Sequence, residues 1–165
     1  MSYVAKRFQH AQAGLTLDAD ALSRYTDLID EFEKKYGTNR TVRLYSAPGR
    51  TEIGGNHTDH NNGVVMAAAV NLDVVAVVSP NEDNVVRVKS YGFDKIDDVD
   101  LSILTPQKRE MEHSAGLIRG VAAGFVEAGG KVGGFDAYTT SDVLRGSGLS
   151  SSAAFEVCMG AIFRG

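Results

Sequence analysis

The sequence contains a single cysteine, Cys158, among its 165 residues. One thiol cannot form a disulfide within the chain, and this one lies in an apolar run, where a free cysteine is usually buried. The N-terminus has no apolar stretch of signal-peptide length, and nowhere do ~18 uncharged apolar residues run together as a membrane span requires. These absences predict a cytoplasmic protein in a reducing environment, without a membrane partner.

Positive charge is not in excess either. The chain has 17 lysines and arginines against 21 aspartates and glutamates, which gives a formal net charge of −4. Nucleic-acid binding needs clustered basic residues in excess, so nucleic acid is not expected as a partner, whereas a small anionic ligand remains compatible with the charge. Low-complexity segments, internal repeats and linkers are also lacking, and 43% hydrophobic with 23% charged residues is typical of a globular chain.

The hydrophobic pattern indicates a mixture of helices and strands. Apolar residues recur at three- and four-residue steps from Asp20 to Tyr36, before Gly37, which predicts an amphipathic helix. Further helices are predicted from an N-cap at Ser114 to Gly129 and over residues 153–163. Strands are predicted at residues 41–47 (ended by Pro48 and Gly49), 72–78, 84–93, 97–104 and 133–143. Because strands and helices do not alternate strictly, we expect an α+β fold with a mainly antiparallel sheet.

Residues 46–63, SAPGRTEIGGNHTDHNNG, concentrate polar side chains and turn-forming residues. A solvated connecting loop is one interpretation of this density, and a functional loop is the other. His57, Asp59 and His60 also resemble a metal-ligand cluster, although a zinc site needs three or four ligands at defined spacing.

Residues 145–157, RGSGLSSSAAFEV, place glycines and serines immediately before a helix-periodic run. Gly146 and Gly148 permit tight turns, and the first backbone N–H groups of the helix have no intrahelical partner. Serine hydroxyls, these N–H groups and the helix dipole would converge on one point, which predicts an anion-binding loop. A flexible linker is the alternative, but a linker needs flexible residues on both sides. The residues match neither the Walker P-loop nor the dinucleotide-binding pattern.

Taken together and in this order, the two stretches resemble the GHMP kinases, and among them the galactokinases. The first is similar to the signature G-R-x-N-x-I-G-E-H-T-D-Y-N-x-G, matched in register by Gly49, Arg50, Gly55, His57, Thr58, Asp59, Asn61 and Gly63. The second is similar to the phosphate loop G-x-G-L-S-S-S-A, matched from Gly146 to Ala153.

The resemblance implies an ATP-dependent sugar 1-kinase that uses Mg²⁺ and phosphorylates the anomeric hydroxyl of galactose. The residues that would contact the sugar are Asn56, His57, Thr58 and Asp59, and the catalytic residue near the transferred phosphoryl group would be Arg50. The residues that would wrap the ATP phosphates are Gly146, Ser147, Gly148, Leu149, Ser150, Ser151 and Ser152, of which Ser152 would also help to hold magnesium. The implied fold is an N-terminal domain over residues 1–165, with its helices on one side of the sheet.

Three positions depart from the galactokinase pattern: Asn56 replaces Glu, Glu52 replaces the common Asn, and His60 replaces Tyr. An amide at position 56 would not repel a carboxylate as Glu would, so galacturonate is an alternative substrate to galactose. A catalytically silent sensor that binds sugar and ATP is an alternative function, and a small α+β interaction domain is a third.

In the family, a magnesium-binding Glu and an Asp near the attacking hydroxyl lie beyond the phosphate loop, in residues that this sequence does not include. We therefore expect the chain to be the N-terminal piece of a sugar kinase, an incomplete domain that is inactive alone. An apolar face exposed by this incompleteness would promote non-specific self-association.

Overall fold

The computed structural model describes residues 19–55, 62–144 and 146–165. In chain order, the elements of these residues are α1 (Ala19–Tyr36), β1 (Arg43–Gly54), β2 (Met66–Pro80), β3 (Val85–Ser90), β4 (Ile96–Asp100), α2 (Ser114–Glu127), β5 (Phe135–Ser141) and α3 (Ser151–Arg164). A short 3-10 turn, Lys108–Glu110, precedes α2. None of the described helices is long and apolar enough to cross a membrane.

The five strands form one sheet in the order β1-β2-β5-β3-β4. Strand pairs β1–β2, β2–β5 and β3–β4 are antiparallel, and only the pair β3–β5 is parallel. Although β2 and β3 are consecutive in sequence, β5 lies between them in the sheet. The prediction of an α+β fold with a mainly antiparallel sheet is confirmed.

Both faces of the sheet are covered by helices. In β2, Val74, Ala76 and Val78 pack in the cluster that contains residues of α2 and α3. The alternate residues Val75 and Val77 pack on the opposite face against α1. All five side chains are buried, as a central strand with a continuous apolar run requires. The prediction of helices on one side of the sheet is therefore wrong, because such a run must be covered on both faces.

Helix α1 agrees with its predicted limits. Leu28, Ile29 and Phe32 face the sheet and are buried, and Gly37 follows in the left-handed region at φ +91°. The Gly37 N–H donates to the Glu33 carbonyl at 2.9 Å and ends the helix.

Strand β1 does not end at Pro48 and Gly49 as predicted. It continues to Gly54, with an irregularity in its register with β2 between Pro48 and Arg50. Among the described strands β1 lies at the edge of the sheet, beside β2, and a proline without an N–H is tolerated in an edge strand. The longer strand gives Arg50 a fixed position in the sheet instead of a place in a loop.

Three other boundaries differ from their predictions. Strand β2 begins at Met66, before the predicted residue 72, and β4 ends at Asp100. The N-cap of α2 is His113, not Ser114. The Ser114 hydroxyl donates instead to the Asp97 carboxylate of β4, a long-range contact that the local capping pattern does not contain.

Candidate functional site

A cavity of about 540 Å³ lies between β1 and the start of α3. Its lining residues come from two segments that are distant in sequence, β1 and the loop that runs into α3: Arg50, Glu52, Gly146, Gly148, Ser150, Ser151, Ser152, Ala153 and Glu156. The structure thus brings Arg50 together with five of the seven residues that were predicted to wrap phosphates.

The loop before α3 turns through left-handed residues. Gly146 and Gly148 have φ of +75° and +78°, a region that glycine enters without steric cost. Ser147 does not line the cavity. Its hydroxyl donates to the Leu144 carbonyl at 2.7 Å and accepts the Leu149 N–H at 3.4 Å, so it holds the turn together.

The N-terminus of α3 is not capped by a side chain. Ser150, the N-cap residue, has φ 58° and ψ 56° and makes no side-chain capping hydrogen bond. The first turn has no acidic residue, and Ser151, Ser152 and Ala153 in that turn line the cavity. Backbone N–H groups without an intrahelical partner and the positive end of the helix dipole favour an anion at this end of the cavity.

Strand β1 and the loop are in direct backbone contact. The Arg50 N–H donates to the Leu149 carbonyl at 3.1 Å. A Cβ at Gly49 would lie 3.0 Å from that same oxygen and 3.1 Å from both methyl groups of Val143. The glycine before Arg50 therefore permits the close approach that places the guanidinium-bearing strand beside the loop.

A polar network holds the connection from β5 to the loop. Arg24 of α1 lies 2.5 Å from the Asp73 carboxylate and 2.9 Å from that of Asp142. The Asp142 N–H also donates to the Asp73 carbonyl at 3.0 Å. Because Asp142 directly follows β5, these contacts fix the point from which the chain leaves the sheet toward the cavity.

Cys158 lies on the buried side of α3 and is fully enclosed. Burial, with a smaller contribution from the Asp73 carboxylate, raises the pKa of its thiol to about 12. The thiol is therefore neutral at physiological pH and packs as an apolar group.

The predicted sugar-contacting residues Asn56, His57, Thr58 and Asp59 lie outside the described residues, as does His60. The backbone on either side of them is described. Gly54 pairs with Met66 at the ends of β1 and β2, and Gly55 packs so closely that its Cβ would lie 2.6 Å from the Val65 Cα. Residues 19–55, 62–144 and 146–165 contain no group of three or more His, Cys, Asp or Glu side chains that could hold a metal ion.

Two glutamates of the cavity were missed by sequence reasoning as site residues. Glu52 was noted only as a departure from the signature, and Glu156 was not singled out at all. The signal for Glu156 was present: it lies four residues after Ser152 in a run predicted to be helical, and residues at that spacing share one face of a helix.

Comparisons with known proteins find sequence similarity to galactokinases. A family model described as the galactokinase galactose-binding signature matches residues 30–80. The galactokinase of Chloroflexus aurantiacus is 39% identical over 138 residues, which cover 83% of this chain and 34% of that protein. The galactokinase of Chloroflexus aggregans is 40% identical over 134 residues, covering 81% and 33% of the two chains. The chain is galactokinase-like. It matches the N-terminal part of these galactokinases and spans about a third of their length.

Solved structures give the same result for the fold. The crystal structure of Lactococcus lactis galactokinase complexed with galactose matches with a TM-score of 0.77 and 27% identity, over 84% of this chain and 36% of that one. The mevalonate kinase of Methanococcus jannaschii matches with a TM-score of 0.58 and 12% identity over 72% and 38% of the chains, a likeness of fold alone. The sheet of this galactokinase-like chain thus matches that of the N-terminal domain of the GHMP kinases.

Proposed function

We propose that this chain forms part of an ATP-dependent sugar 1-kinase that acts on the anomeric hydroxyl of galactose. The observation that carries the proposal is the cavity that Arg50 of the signature strand shares with the loop at the N-terminus of α3. A guanidinium, uncapped backbone N–H groups and serine hydroxyls around one space are the groups that phosphoryl transfer requires, because its catalysis is mostly positioning and charge neutralisation.

The described lining residues fit the phosphates of a nucleotide. Gly146, Gly148 and the first turn of α3 would cradle the phosphate oxygens, and Ser152 would contribute a hydroxyl to magnesium. ATP, when bound, supplies the phosphoryl group, and magnesium neutralises part of the phosphate charge. The residues of this chain would hold and orient the phosphates, and Arg50 would be the cation beside the phosphoryl group to be transferred.

Galactose is proposed as the substrate because the matching family model is described as a galactose-binding signature. Asn56, His57, Thr58 and Asp59 would contact the sugar hydroxyls, and a fixed acceptor such as Asp59 would reject ligands that lack the hydroxyl it pairs with. Galacturonate is the alternative that Asn56 suggests, since an amide does not repel its carboxylate.

Binding to the 165-residue chain tests the proposal directly. Calorimetric titration is expected to show binding of MgADP and of galactose, and weaker or no binding of galacturonate. Arg50→Ala should weaken MgADP about tenfold, the loss of one partly exposed ion pair with phosphate. Arg164→Ala is the matched control, because Arg164 is exposed in the last turn of α3 and does not line the cavity. Absence of MgADP binding would overturn the nucleotide site, and preference for galacturonate would replace the sugar.

Turnover is a separate question from binding. The chain covers about a third of its relatives, and we propose that the missing share carries the magnesium-binding Glu and catalytic Asp of the family. Sugar-dependent ADP formation by the 165-residue chain is therefore expected to stay at background, with the whole Chloroflexus aurantiacus galactokinase as the positive control. Measurable turnover by the 165-residue chain alone would refute this proposal. A cytoplasmic location stays a prediction that rests on the single buried thiol of Cys158.

A further inference from the structure

A charged network between α1, β2 and the chain that leaves β5 lies outside the cavity, and the proposed function does not use it. Its centre is the Arg24 guanidinium of α1, which lies 2.5 Å from the Asp73 carboxylate and 2.9 Å from that of Asp142. Arg24 also donates to the Asp73 carbonyl at 3.1 Å, and the Ser46 hydroxyl of β1 donates to the Asp73 carboxylate. One arginine thus ties a helix to two strands and to the start of the segment that leads to the cavity.

Two negative charges share one positive charge in this network. Among the described residues, Arg24 is the ion-pair partner of both carboxylates, and no second cation lies within ion-pair distance of either. The Asp142 N–H donates to the Asp73 carbonyl at 3.0 Å, so the backbone also holds the two aspartates side by side. Like charges this close repel each other, and the repulsion is stronger where side chains are partly shielded from water. Without Arg24, it would act on the first residue after β5.

The residue after Asp142 transmits its position to the cavity. Val143 is buried, and both of its methyl groups lie 3.1 Å from the position of a Cβ on Gly49. Gly49 directly precedes Arg50, whose N–H donates to the Leu149 carbonyl at 3.1 Å. A displacement of Asp142 would therefore disturb the contact between β1 and the loop, and small displacements of positioning groups have large effects on a bound ligand.

We propose that Arg24 is a positioning residue for phosphate binding: by neutralising Asp73 and Asp142 together, it holds the segment after β5 where Arg50 and the loop can contact the same ligand. The inference rests on the proposed function, because it needs a nucleotide in the cavity. It gives α1, whose residues do not line the cavity, a part in ligand binding.

Calorimetric titration of the 165-residue chain with MgADP tests the proposal without any catalytic readout. Arg24→Met should weaken binding about fivefold, because the two carboxylates then repel each other. Addition of Asp142→Asn to Arg24→Met removes this repulsion and should restore the affinity to within about twofold of that of the unchanged chain. Arg24→Gln, which also removes the charge, takes the place of Arg24→Met in both measurements if circular dichroism shows that Arg24→Met does not fold.

The matched control is Lys34→Met, which removes another cation of α1 from an ion pair, that with Glu31 at 2.5 Å. Because this pair lies on the exposed side of the helix and does not contact Asp73 or Asp142, the variant should keep the MgADP affinity of the unchanged chain. Equal weakening by Lys34→Met and Arg24→Met would show a general effect of the charge of α1 and would refute the proposal.

Two further outcomes would also overturn the role of Arg24. If Arg24→Met binds MgADP as tightly as the unchanged chain, the role is wrong while the nucleotide site stands. If Arg24→Met binds more weakly and Asp142→Asn does not restore the affinity, Arg24 contributes only through the packing of α1. No MgADP binding by the unchanged chain would refute the proposed function itself.

Discussion

Gly49 lies where the backbone of β1 contacts the loop that precedes α3. The space left by its missing side chain is bounded by the Leu149 carbonyl and the methyl groups of Val143, all within 3.1 Å of a Cβ position. Few real Cβ atoms have contacts this short, so the Leu149 carbonyl and the Val143 side chain must shift by a few tenths of an ångström if position 49 carries a methyl group.

The variant Gly49→Ala is expected to cost about 1–3 kcal/mol in the free energy of unfolding, as overpacking of a close contact does. It should also weaken MgADP binding, because the loop carries the residues that line the cavity. Urea unfolding and calorimetry measure the two effects. Gly124→Ala is the matched control: it lies in α2 with nothing within 4 Å of its Cβ position, and alanine there should stabilise by up to ~1 kcal/mol. Wild-type stability and affinity in Gly49→Ala would show that the contact is not rigid.

Two buried ionisable groups, a thiol and a phenol, make the free energy of unfolding depend on pH in the alkaline range. Burial raises the pKa of the Cys158 thiol from 9.0 and that of the Tyr36 phenol from 10.0, each to about 12. Between these values the unfolded chain loses protons that the folded chain keeps, so the free energy of unfolding falls as pH rises from 9 to 12.

Tyr36→Phe isolates one of these groups. The Tyr36 hydroxyl is buried without a hydrogen-bond partner in the part of the chain that the structure describes, so its removal should leave stability at pH 7 unchanged or raise it by up to ~1 kcal/mol. Above pH 10 the variant should lose less stability than the unchanged chain. Urea midpoints at pH 7, 9 and 10.5 measure this, and parallel curves for the two proteins would show that Tyr36 ionises normally.

At the scale of elements, a buried ion pair attaches the segment before α2 to the helix itself. Arg119 of α2 is 3% exposed and donates to both carboxylate oxygens of Glu110, at 2.6 and 2.7 Å. These hydrogen bonds hold the pKa of Glu110 below its usual value. The Arg119 guanidinium also donates to the Asp100 carbonyl at 2.9 Å, which joins the end of β4 to the same helix.

Replacement of Arg119 leaves the buried Glu110 carboxylate with the exposed Arg109 guanidinium, 4.0 Å away, as its ion-pair partner among the described residues. Arg119→Met should therefore cost about 3–5 kcal/mol in the free energy of unfolding, measured by urea titration at pH 7. The double variant Glu110→Leu with Arg119→Met removes both charges and should be more stable than Arg119→Met alone. If the double variant is the less stable of the two, the ion pair contributes less than the other contacts of these side chains.

Local patterns predicted the helices and strands better than their ends and partners. The apolar spacing of α1 and the run in β2 follow from burial against the sheet, which sequence periodicity reports directly. The continuation of β1 past Pro48 depends on its edge position, and the Ser114 contact with Asp97 depends on a strand 17 residues away. Such features come from tertiary neighbours, so no local signal encodes them.

For the candidate site too, local motifs could be predicted from the sequence, whereas features that depend on tertiary neighbours could not. Arg50 and the loop were recognised because their motifs are contiguous, and the structure places both at one cavity. The left-handed Ser150 and the carboxylate of Glu156 were not predicted, since the first depends on how the loop enters α3 and the second on which face of α3 borders the cavity.

At the scale of the whole molecule, apolar side chains are exposed near the end of β1 and the start of β2. Ile53, Val64, Val65 and Met66 have 59%, 90%, 42% and 59% of their surface accessible. Together these four residues form an apolar tip, a feature that usually marks an interaction surface or promotes association.

We predict that the 165-residue chain self-associates through this apolar tip. Light scattering after size-exclusion chromatography should show a mean mass that rises with concentration. The double variant Val64→Ser with Met66→Ser should stay closer to the monomer mass. Val126→Ser, which changes an exposed valine of α2, should behave as the unchanged chain. A monomer at every concentration, or equal association of all three proteins, would show that the tip does not drive contact.

The position of β5 in the sheet also sets the order in which the molecule can assemble during synthesis. The hairpins β1–β2 and β3–β4 are complete once residue 100 has left the ribosome, yet each keeps an open edge until residues 135–141 follow. Strand β5 then pairs with both β2 and β3 and so joins the two hairpins, and residues 142–145 connect it to the loop at residues 146–150. The cavity between β1 and α3 is thus the last part of this chain to form, and a nascent chain with an unfinished sheet lacks it.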